Sequence, residues 1–237
     1  MIRRLEYDRP VAVIGDIHGE ASLLESLLVA LGPDIPILVL GDLIDRGPDS
    51  KRVLDLLVSR KATGVFGNHD TWFMAWAGGY GFDTFALSQV MGGKATLKSY
   101  GIESTSPGTI EAERYKVPAS HVEFLGKLSL IIDLRVVGQR YWMMHAGLAS
   151  IPLEVDGRDD DTILWHIASH CPANLLWSGA EPAAIKRLTH PIIMGHMQQF
   201  GGPKDKGHVI AVDTGCGSPG GSLTAVVLPE RRFVTVR

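Results

Sequence analysis

The chain has 237 residues, a formal net charge of −3, 45% hydrophobic residues and 21% charged residues. This balance is typical of a globular domain that buries a substantial core. No run of lysine and arginine exceeds two residues, which excludes a surface that coats nucleic acid. The N-terminus lacks the apolar segment of a signal peptide, and no apolar run reaches the ~18 residues of a membrane span. Two cysteines, Cys171 and Cys216, are too few for a disulfide framework, so we expect a cytoplasmic protein that binds no membrane.

Three apolar segments predict the first strands, at residues 11–15, 37–41 and 63–67. The first two are continuously apolar, as strands buried on both faces are. Leucines and valines at helical spacing lie between them, at residues 20–31 and 49–61. The order strand, helix, strand, helix, strand predicts parallel strands joined by helical crossovers.

The middle of the chain, residues 72–127, is rich in glycine and aromatic residues and then helical in patches. We interpret it as a mostly helical cap inserted into a single domain that spans residues 1–237. Strand-like segments return after residue 128, and the hairpin-like spacing of the last three predicts a second, mixed or antiparallel sheet. The expected fold class is therefore α/β, a two-sheet sandwich flanked by helices with a helical cap.

Polar residues collect where six of the strand-like segments end. Each apolar run stops at glycine or another small residue, with Asp, His or Asn beside it. The set comprises Asp16 and His18 in GDIHG, Asp42, Asp45 and Arg46 in GDLIDRG, Asn68, His69 and Asp70 in GNHD, His145 in HAG, His196 in MGH, and Asp213 in DTG. Because ligands bind at the carboxyl ends of strands in open α/β sheets, we expect these six tips to converge on one site.

The donor atoms of this set indicate a metal site. Carboxylate, imidazole and amide groups without a thiolate suit manganese, iron or zinc in a catalytic role. The set exceeds the needs of one tetrahedral ion, whereas two ions about 3.5–4 Å apart, bridged by one carboxylate, would use all of it.

The five motifs GDIHG, GDLIDRG, GNHD, HAG and GH, in this order, resemble the calcineurin-like metallophosphoesterases. The chain is most similar to the bacterial branch of the phosphoprotein phosphatases, since GGKATLKSYG, HVEFLGKLSL and VIAVDTGCGSPGGSLTAVVL are also similar. The resemblance covers residues 11–228, and five motifs in family order are far more specific than one.

The resemblance implies a role for each residue of the motifs. Two divalent cations are implied, manganese first, with iron or zinc as alternatives, sharing a hydroxide that attacks phosphorus. Their implied ligands are Asp16, His18 and Asp42 for the first ion and Asp42, Asn68, His145 and His196 for the second. His69 would protonate the leaving group with Asp45 orienting its ring, and Arg46, Asn68 and His69 would contact the phosphate.

One departure from the family pattern leaves the substrate open. Many relatives carry a second phosphate-binding arginine in a W-x-R element, where this chain has Gly179. Lys186, Arg187 or Arg158 could replace it. The leading hypothesis is a Ser/Thr protein phosphatase-like phosphomonoesterase that acts on a phosphorylated protein or peptide. One alternative is a hydrolase of dinucleoside (diadenosine) tetraphosphate, which is a nucleoside polyphosphate substrate. The second alternative is a metal-binding module without catalysis.

Several residues without an implied role at the metals or the phosphate receive structural interpretations. We expect Asp70 to cap a helix that starts at Thr71, and Asp213 to support His196 or to fix its own turn. His121 is expected on a helix surface, and His190 and His208 in exposed positions. His166 and His170 have metal-compatible spacing, but without a third ligand we interpret them as structural.

Overall fold

The computed structural model describes residues 2–148, 155, 157–170, 172–177 and 190–237. In this part of the chain, two sheets pack face to face between helices. The strands are β1 (Ile2–Tyr7), β2 (Val11–Ile14), β3 (Ile37–Val39), β4 (Thr63–Gly64), β5 (Ile131–Val136), β6 (Gln139–Met144), β7 (Ile192–Met194), β8 (Lys204–Asp205), β9 (Val209–Ala211), β10 (Leu223–Leu228) and β11 (Arg232–Val236). The α-helices are α1 (Ala21–Leu31), α2 (Ser50–Ser59), α3 (Asn68–Ala77), α4 (Gly93–Ser99), α5 (Pro107–Ala112), α6 (Ala119–Gly126), α7 (Asp160–His170) and α8 (Asn174–Trp177).

The first three predicted strands form the parallel part of one sheet. That sheet has the order β11-β10-β2-β3-β4, and β2, β3 and β4 are parallel neighbours, with Val13 opposite Leu38 and Leu38 opposite Thr63. α1 and α2 make the two crossovers. The expected β-α-β-α-β unit is thus confirmed, and Asp49 caps α2 by accepting a hydrogen bond from the Arg52 backbone N–H at 3.0 Å.

The prediction for the last three strands is wrong in its sheet assignment. β9 joins the second sheet, of order β1-β5-β6-β7-β9-β8, but the antiparallel hairpin β10–β11 extends the first sheet, where β10 pairs with β2. The reason is that a hairpin turn fixes which two strands pair and not which sheet receives them. The segment from β9 to β10 crosses between the sheets and carries Asp213 with it.

The core lies in three layers because the strands alternate their side chains between two buried faces. Val13, Leu38, Leu134, Met143 and Val226 fill the space between the sheets. The opposite face of the first sheet packs on α1, α2 and the helices of the segment between β4 and β5. The outer face of the second sheet packs on α7 and α8 through residues such as Trp142 and Ile167. The arrangement is helix, sheet, sheet, helix, as the predicted fold class requires.

The segment between β4 and β5 carries α3 to α6. The extent of a cap over residues 72–127 within one domain stays a prediction. Among the described residues, no helix has the length and hydropathy needed to cross a membrane.

Candidate active site

The six predicted metal ligands converge at the carboxyl ends of the strands. Asp16 and His18 follow β2, and Asp42 follows β3. Asn68 begins α3 just after β4, while His145 and His196 follow β6 and β7. The first five of these side chains are at most 2% exposed and His196 is half-buried. All of them except His145 line a cleft of about 350 Å³, which Arg46, His69, Met91, Trp177 and Gln198 also line.

Asp42 is shared by two groups of donors that could each hold a metal ion. One group is His18, Asp42 and His69, and the other is Asp42, His145 and His196; within each group the donor atoms lie within 4.8 Å of one another. Asp42 Oδ2 is 3.7 Å from His18 Nε2, and Asp42 Oδ1 is 3.4 Å from His145 Nε2. A carboxylate with one oxygen on each side is the arrangement that a bridging ligand needs.

Backbone carbonyls orient two of the imidazoles toward Asp42. His18 Nδ1–H donates to the Ile44 carbonyl at 3.1 Å, and His145 Nδ1–H donates to the Leu40 carbonyl at 2.7 Å. Metal-binding histidines are commonly oriented in this way, because the second ring nitrogen then presents its lone pair to the ion. The residues present therefore fit divalent cations in donor type, burial and orientation.

Asp16 takes a different position from the one expected within the first group. Both of its oxygens accept the backbone N–H of His196 at 3.1 Å, and His69 stands in the first group of donors instead. Asn68 Oδ1 lies 3.0 Å from His145 Nε2, beside the second group.

Burial and mutual attraction set the protonation of this cluster. Burial alone would raise the pKa of Asp42, but His145, His69 and His18 hold it well below its usual range. Burial opposes charge on His145, yet Asp42 raises its pKa to about 10. Burial lowers the pKa of His18 to about 3. Buried carboxylates outnumber cationic side chains in this cluster, and some of its imidazoles are neutral. Divalent ions would balance the excess negative charge.

The predicted catalytic trio is assembled beside Asp42. His69 Nδ1–H donates to Asp45 Oδ2 at 2.9 Å, and Arg46 Nη2 donates to His69 Nε2 at 3.2 Å. The His69 backbone N–H also donates to Asp42 Oδ1 at 2.9 Å. Because an ionised carboxylate only accepts, Asp45 fixes a proton on Nδ1 and leaves Nε2 facing the cleft.

Two residues that contact Asp45 were not predicted from the sequence. Trp72 Nε1–H donates to Asp45 Oδ2 at 3.0 Å, and the Thr96 hydroxyl donates to Asp45 Oδ1 at 2.8 Å. These contacts offset the burial that raises the pKa of Asp45. GGKATLKSYG pointed to the segment of Thr96, but nothing in its spacing indicated a contact with Asp45.

The backbone of the site is held in an uncommon conformation. Eight non-glycine residues of the described chain have positive φ, and five of them belong to the site: His18, Asp42, Asp45, Arg46 and His196, with φ from 47° to 73°. Such residues cluster where a functional geometry is enforced by the surrounding structure.

Glycines let the motifs approach one another. A Cβ added at Gly67 would lie 2.1 Å from Asp42 Oδ1, and one added at Gly195 would lie 2.1 Å from Asp16 Oδ1. The glycines in GNHD and MGH are therefore required by close approach to the ligands.

The residues suggested as replacements for the second phosphate-binding arginine are not among the described residues that line the cleft. Gly179, Lys186 and Arg187 lie outside the described residues, and Arg158 does not line the cleft. Among the described residues that do line it, Arg46 is the only arginine.

The structural roles expected for Asp213 and Asp70 are met in part. Asp213 Oδ1 accepts the Gly215 N–H at 2.8 Å and so fixes its own turn. Asp70 caps a helix, but α3 begins at Asn68, and Asp70 accepts the backbone N–H groups of Gly67 and Leu43 from within the first turn.

The exposures expected for two histidines are wrong. His121 is 1% exposed because it bridges Tyr100 and Asp55, and His190 is 5% exposed because its ring packs edge-on against Trp142. His208 is half-buried. The stacked rings of His166 and His170 belong to neither candidate metal group of the described chain.

Comparisons with known proteins point to one family. A family model described as calcineurin-like phosphoesterase matches residues 9–216. The asymmetrical bis(5'-nucleosyl)-tetraphosphatase of Oceanobacillus iheyensis is 27% identical over 249 residues, covering 95% of this chain and 91% of that protein. Serine/threonine-protein phosphatase 2 of Escherichia coli is 51% identical over 65 residues, 26% of this chain and 30% of that protein. A crystal structure of a provisionally assigned diadenosine tetraphosphatase shares the fold, with a TM-score of 0.64 and 23% identity over 99% of this chain and 96% of that chain.

Proposed function

This chain belongs to the calcineurin-like phosphoesterase family, and from that premise we propose that it hydrolyses dinucleoside tetraphosphates with the aid of two divalent cations. The observation that carries the substrate class is the similarity to a bis(5'-nucleosyl)-tetraphosphatase along 95% of this chain. The similarity to the protein phosphatase is higher in identity but covers 26% of the chain. Metal-dependent phosphoester chemistry is common to both.

The proposed ligands are Asp16, His18, Asp42, Asn68, His145 and His196, with Asp42 between the two ions. Bound there, the cations would neutralise charge on the phosphoryl oxygens and lower the pKa of a water molecule. We take Mn²⁺ as the first ion to test, with iron and zinc as alternatives, because all three accept these donors.

The chain's own residues supply the other half of the chemistry. The Arg46 guanidinium presents a planar fork that matches two phosphate oxygens, and Asn68 and His69 line the same cleft. Once protonated on Nε2, which faces the cleft, the His69 imidazolium would give that proton to the leaving oxygen as its bond to phosphorus breaks. Asp45 holds the His69 ring for this step.

An exposed indole at the cleft supports a substrate that carries a nucleobase. Trp177 lines the cleft, its side chain is 53% exposed, and its ring centroid lies 6.4 Å from that of His196. Stacking of a base on an aromatic side chain contributes about 1–3 kcal/mol. Trp177→Ala should therefore raise KM for diadenosine tetraphosphate by about tenfold or more and leave inorganic tripolyphosphate unaffected. Trp165→Ala, an equally exposed tryptophan away from the cleft, is the matched control.

The second candidate is the protein phosphatase-like phosphomonoesterase expected first from the sequence. The His69–Asp45 pair favours it, because a serine alkoxide is a poor leaving group and gains most from a positioned acid. A terminal nucleotide phosphate leaves more easily and depends on the acid less.

Competition between substrates separates the candidates. With Mn²⁺, purified protein should show a larger kcat/KM for diadenosine tetraphosphate than for a phosphoserine peptide. The reverse order would reject the first candidate in favour of the second. Metal binding without turnover of either substrate would instead favour a binding module.

A further inference from the structure

Asp45 is held by the segment between β4 and β5 as well as by His69. Its side chain is fully buried. Oδ2 accepts hydrogen bonds from His69 Nδ1 and Trp72 Nε1, while Oδ1 accepts one from the Thr96 hydroxyl. Both carboxylate oxygens are therefore fixed, one of them by a residue 51 positions further along the chain.

The hydrogen bonds of Thr96 can be assigned direction. Its one proton goes to Asp45 Oδ1, so the Ser50 hydroxyl, 2.9 Å away, must donate to Thr96 Oγ1. Thr96 Oγ1 also accepts the backbone N–H of Asp45 at 2.9 Å. A single buried hydroxyl thus binds both the carboxylate and the main chain of Asp45.

Further contacts fix the position of Thr96 itself. It lies on α4, and the next residues of that helix are tied to α2. The Lys51 backbone N–H donates to Ser99 Oγ at 3.1 Å, and Tyr100 connects through His121 to Asp55 by contacts of 2.7 and 2.9 Å. The C-terminal end of α4 is thereby anchored within four residues of the hydroxyl.

We propose that Thr96 is a positioning residue for proton transfer: it sets the Asp45 carboxylate so that His69 Nε2 faces the leaving oxygen. The inference rests on the proposed function. In the step concerned, the attacking water forms the new P–O bond and loses a proton to solvent. The bond to the leaving oxygen breaks, and its electron pair takes the Nε2 proton of the His69 imidazolium, which becomes the neutral ring with its proton on Nδ1. His69 then regains a proton from solvent. Asp45 stays ionised throughout.

A series of aryl phosphates tests this role, because only poor leaving groups need the acid. We expect Thr96→Val to lower kcat/KM for phenyl phosphate by about 10–100-fold, the usual effect of removing a partner that orients an active-site group. Dinitrophenyl phosphate, whose phenolate leaves without protonation, should change by no more than about twofold. Thr96→Ser keeps the hydroxyl and should restore most of the rate.

A double-mutant cycle shows whether Thr96 acts through Asp45. In an Asp45→Asn background, Thr96→Val should add little further loss on phenyl phosphate, since the orienting group is already impaired. Ser50→Ala, which removes the donor to Thr96 Oγ1, should reproduce the dependence on leaving group in weaker form. It also provides a test if the valine variant folds poorly.

The controls separate this role from general damage. Thr224→Val alters another buried threonine, whose hydroxyl is hydrogen-bonded to the hydroxyls of Thr214 and Thr235, and should leave the leaving-group dependence unchanged. Equal losses of Thr96→Val on all aryl phosphates, or additive losses with Asp45→Asn, would overturn the inference. Wild-type protein inactive on both the aryl phosphates and diadenosine tetraphosphate with metals bound would instead overturn the proposed function.

Discussion

Two clusters of carboxylates in this molecule are neutralised differently. In the first, the arginine cluster, Arg140 donates to both oxygens of Asp133 at 2.8 and 3.0 Å and also contacts Asp160. Arg4 pairs with Asp161 at 2.6 Å. The second is the active-site cluster around Asp42, where the nearest side-chain donors are imidazoles at 3.4 to 4.0 Å.

The difference teaches how a structural ion-pair network can be told from a candidate metal site. The arginine cluster supplies its own cations, and each fork matches a carboxylate. The active-site cluster is more deeply buried, contains mostly imidazoles instead of guanidinium groups, and places several lone pairs around a shared carboxylate. A cluster of carboxylates does not by itself indicate a metal site. The groups that face the carboxylates, guanidinium or imidazole, distinguish the two kinds of cluster.

The largest expected effect is in the active-site cluster. Asp42→Asn should lower metal-dependent hydrolysis by about 10³-fold or more, because cations contribute several kcal/mol to the transition state. Hydrolysis of p-nitrophenyl phosphate and metal content of the same preparation measure this. Full activity with normal metal content would show that Asp42 is no bridging ligand.

The next effect distinguishes the clusters by their response to metal. Mn²⁺ at 100 times its Kd should stabilise the protein by about 2.7 kcal/mol. At one fixed Mn²⁺ concentration, the gain should increase with pH from 6 to 8, because binding releases protons from the ligands and so lowers Kd. Thermal unfolding with and without Mn²⁺ measures it.

Variants in each cluster serve as the matched pair for that experiment. Asp133→Asn should keep the stabilisation by Mn²⁺ and Asp42→Asn should lose it. Equal stabilisation of both variants would place the metal elsewhere.

A third effect concerns stability alone. Asp133→Asn should destabilise the protein by about 1–3 kcal/mol, less than for a fully buried pair because Arg140 keeps another carboxylate. Activity with Mn²⁺ should be unchanged. Urea unfolding with an activity assay checks both, and a large loss of activity at full stability would contradict the separation of the two clusters.

The smallest effect is a pH dependence beside the arginine cluster. His190 is buried without a hydrogen-bond partner among the described residues, and burial lowers its pKa. Below the ordinary pKa of about 6.5, the unfolded chain binds a proton that the folded chain does not, so stability is lost as pH falls. His190→Phe should reduce this slope by up to about 1.4 kcal/mol per pH unit.

Urea unfolding at pH 7.5 and 5.5, with chelator present, compares this slope in both proteins. Parallel curves for wild type and variant would show that His190 is protonated in the fold.

The sequence predicted most of the site because its residues lie at the ends of apolar runs. Asp16, Asp42 and His196 each lie within three residues of the end of a buried strand, so the fold of the strands determines their place. The contact of Thr96 with Asp45 could not be predicted, because it joins two segments that are 51 residues apart. The hydrophobic spacing of each segment predicts its own helix or strand and not which distant side chains meet. Likewise, the turn after β10 predicts a hairpin, but packing against β2 decides its sheet.

The left-handed backbone at the site also bears on how such a protein can change over generations. A non-glycine residue in that conformation costs about 1–3 kcal/mol, and His18 and His196 are both held there. Replacing either by glycine would remove a proposed ligand and at the same time relax the main chain. The relaxed backbone offsets part of the packing lost with the side chain, so selection for hydrolysis must maintain a strained main chain at these positions.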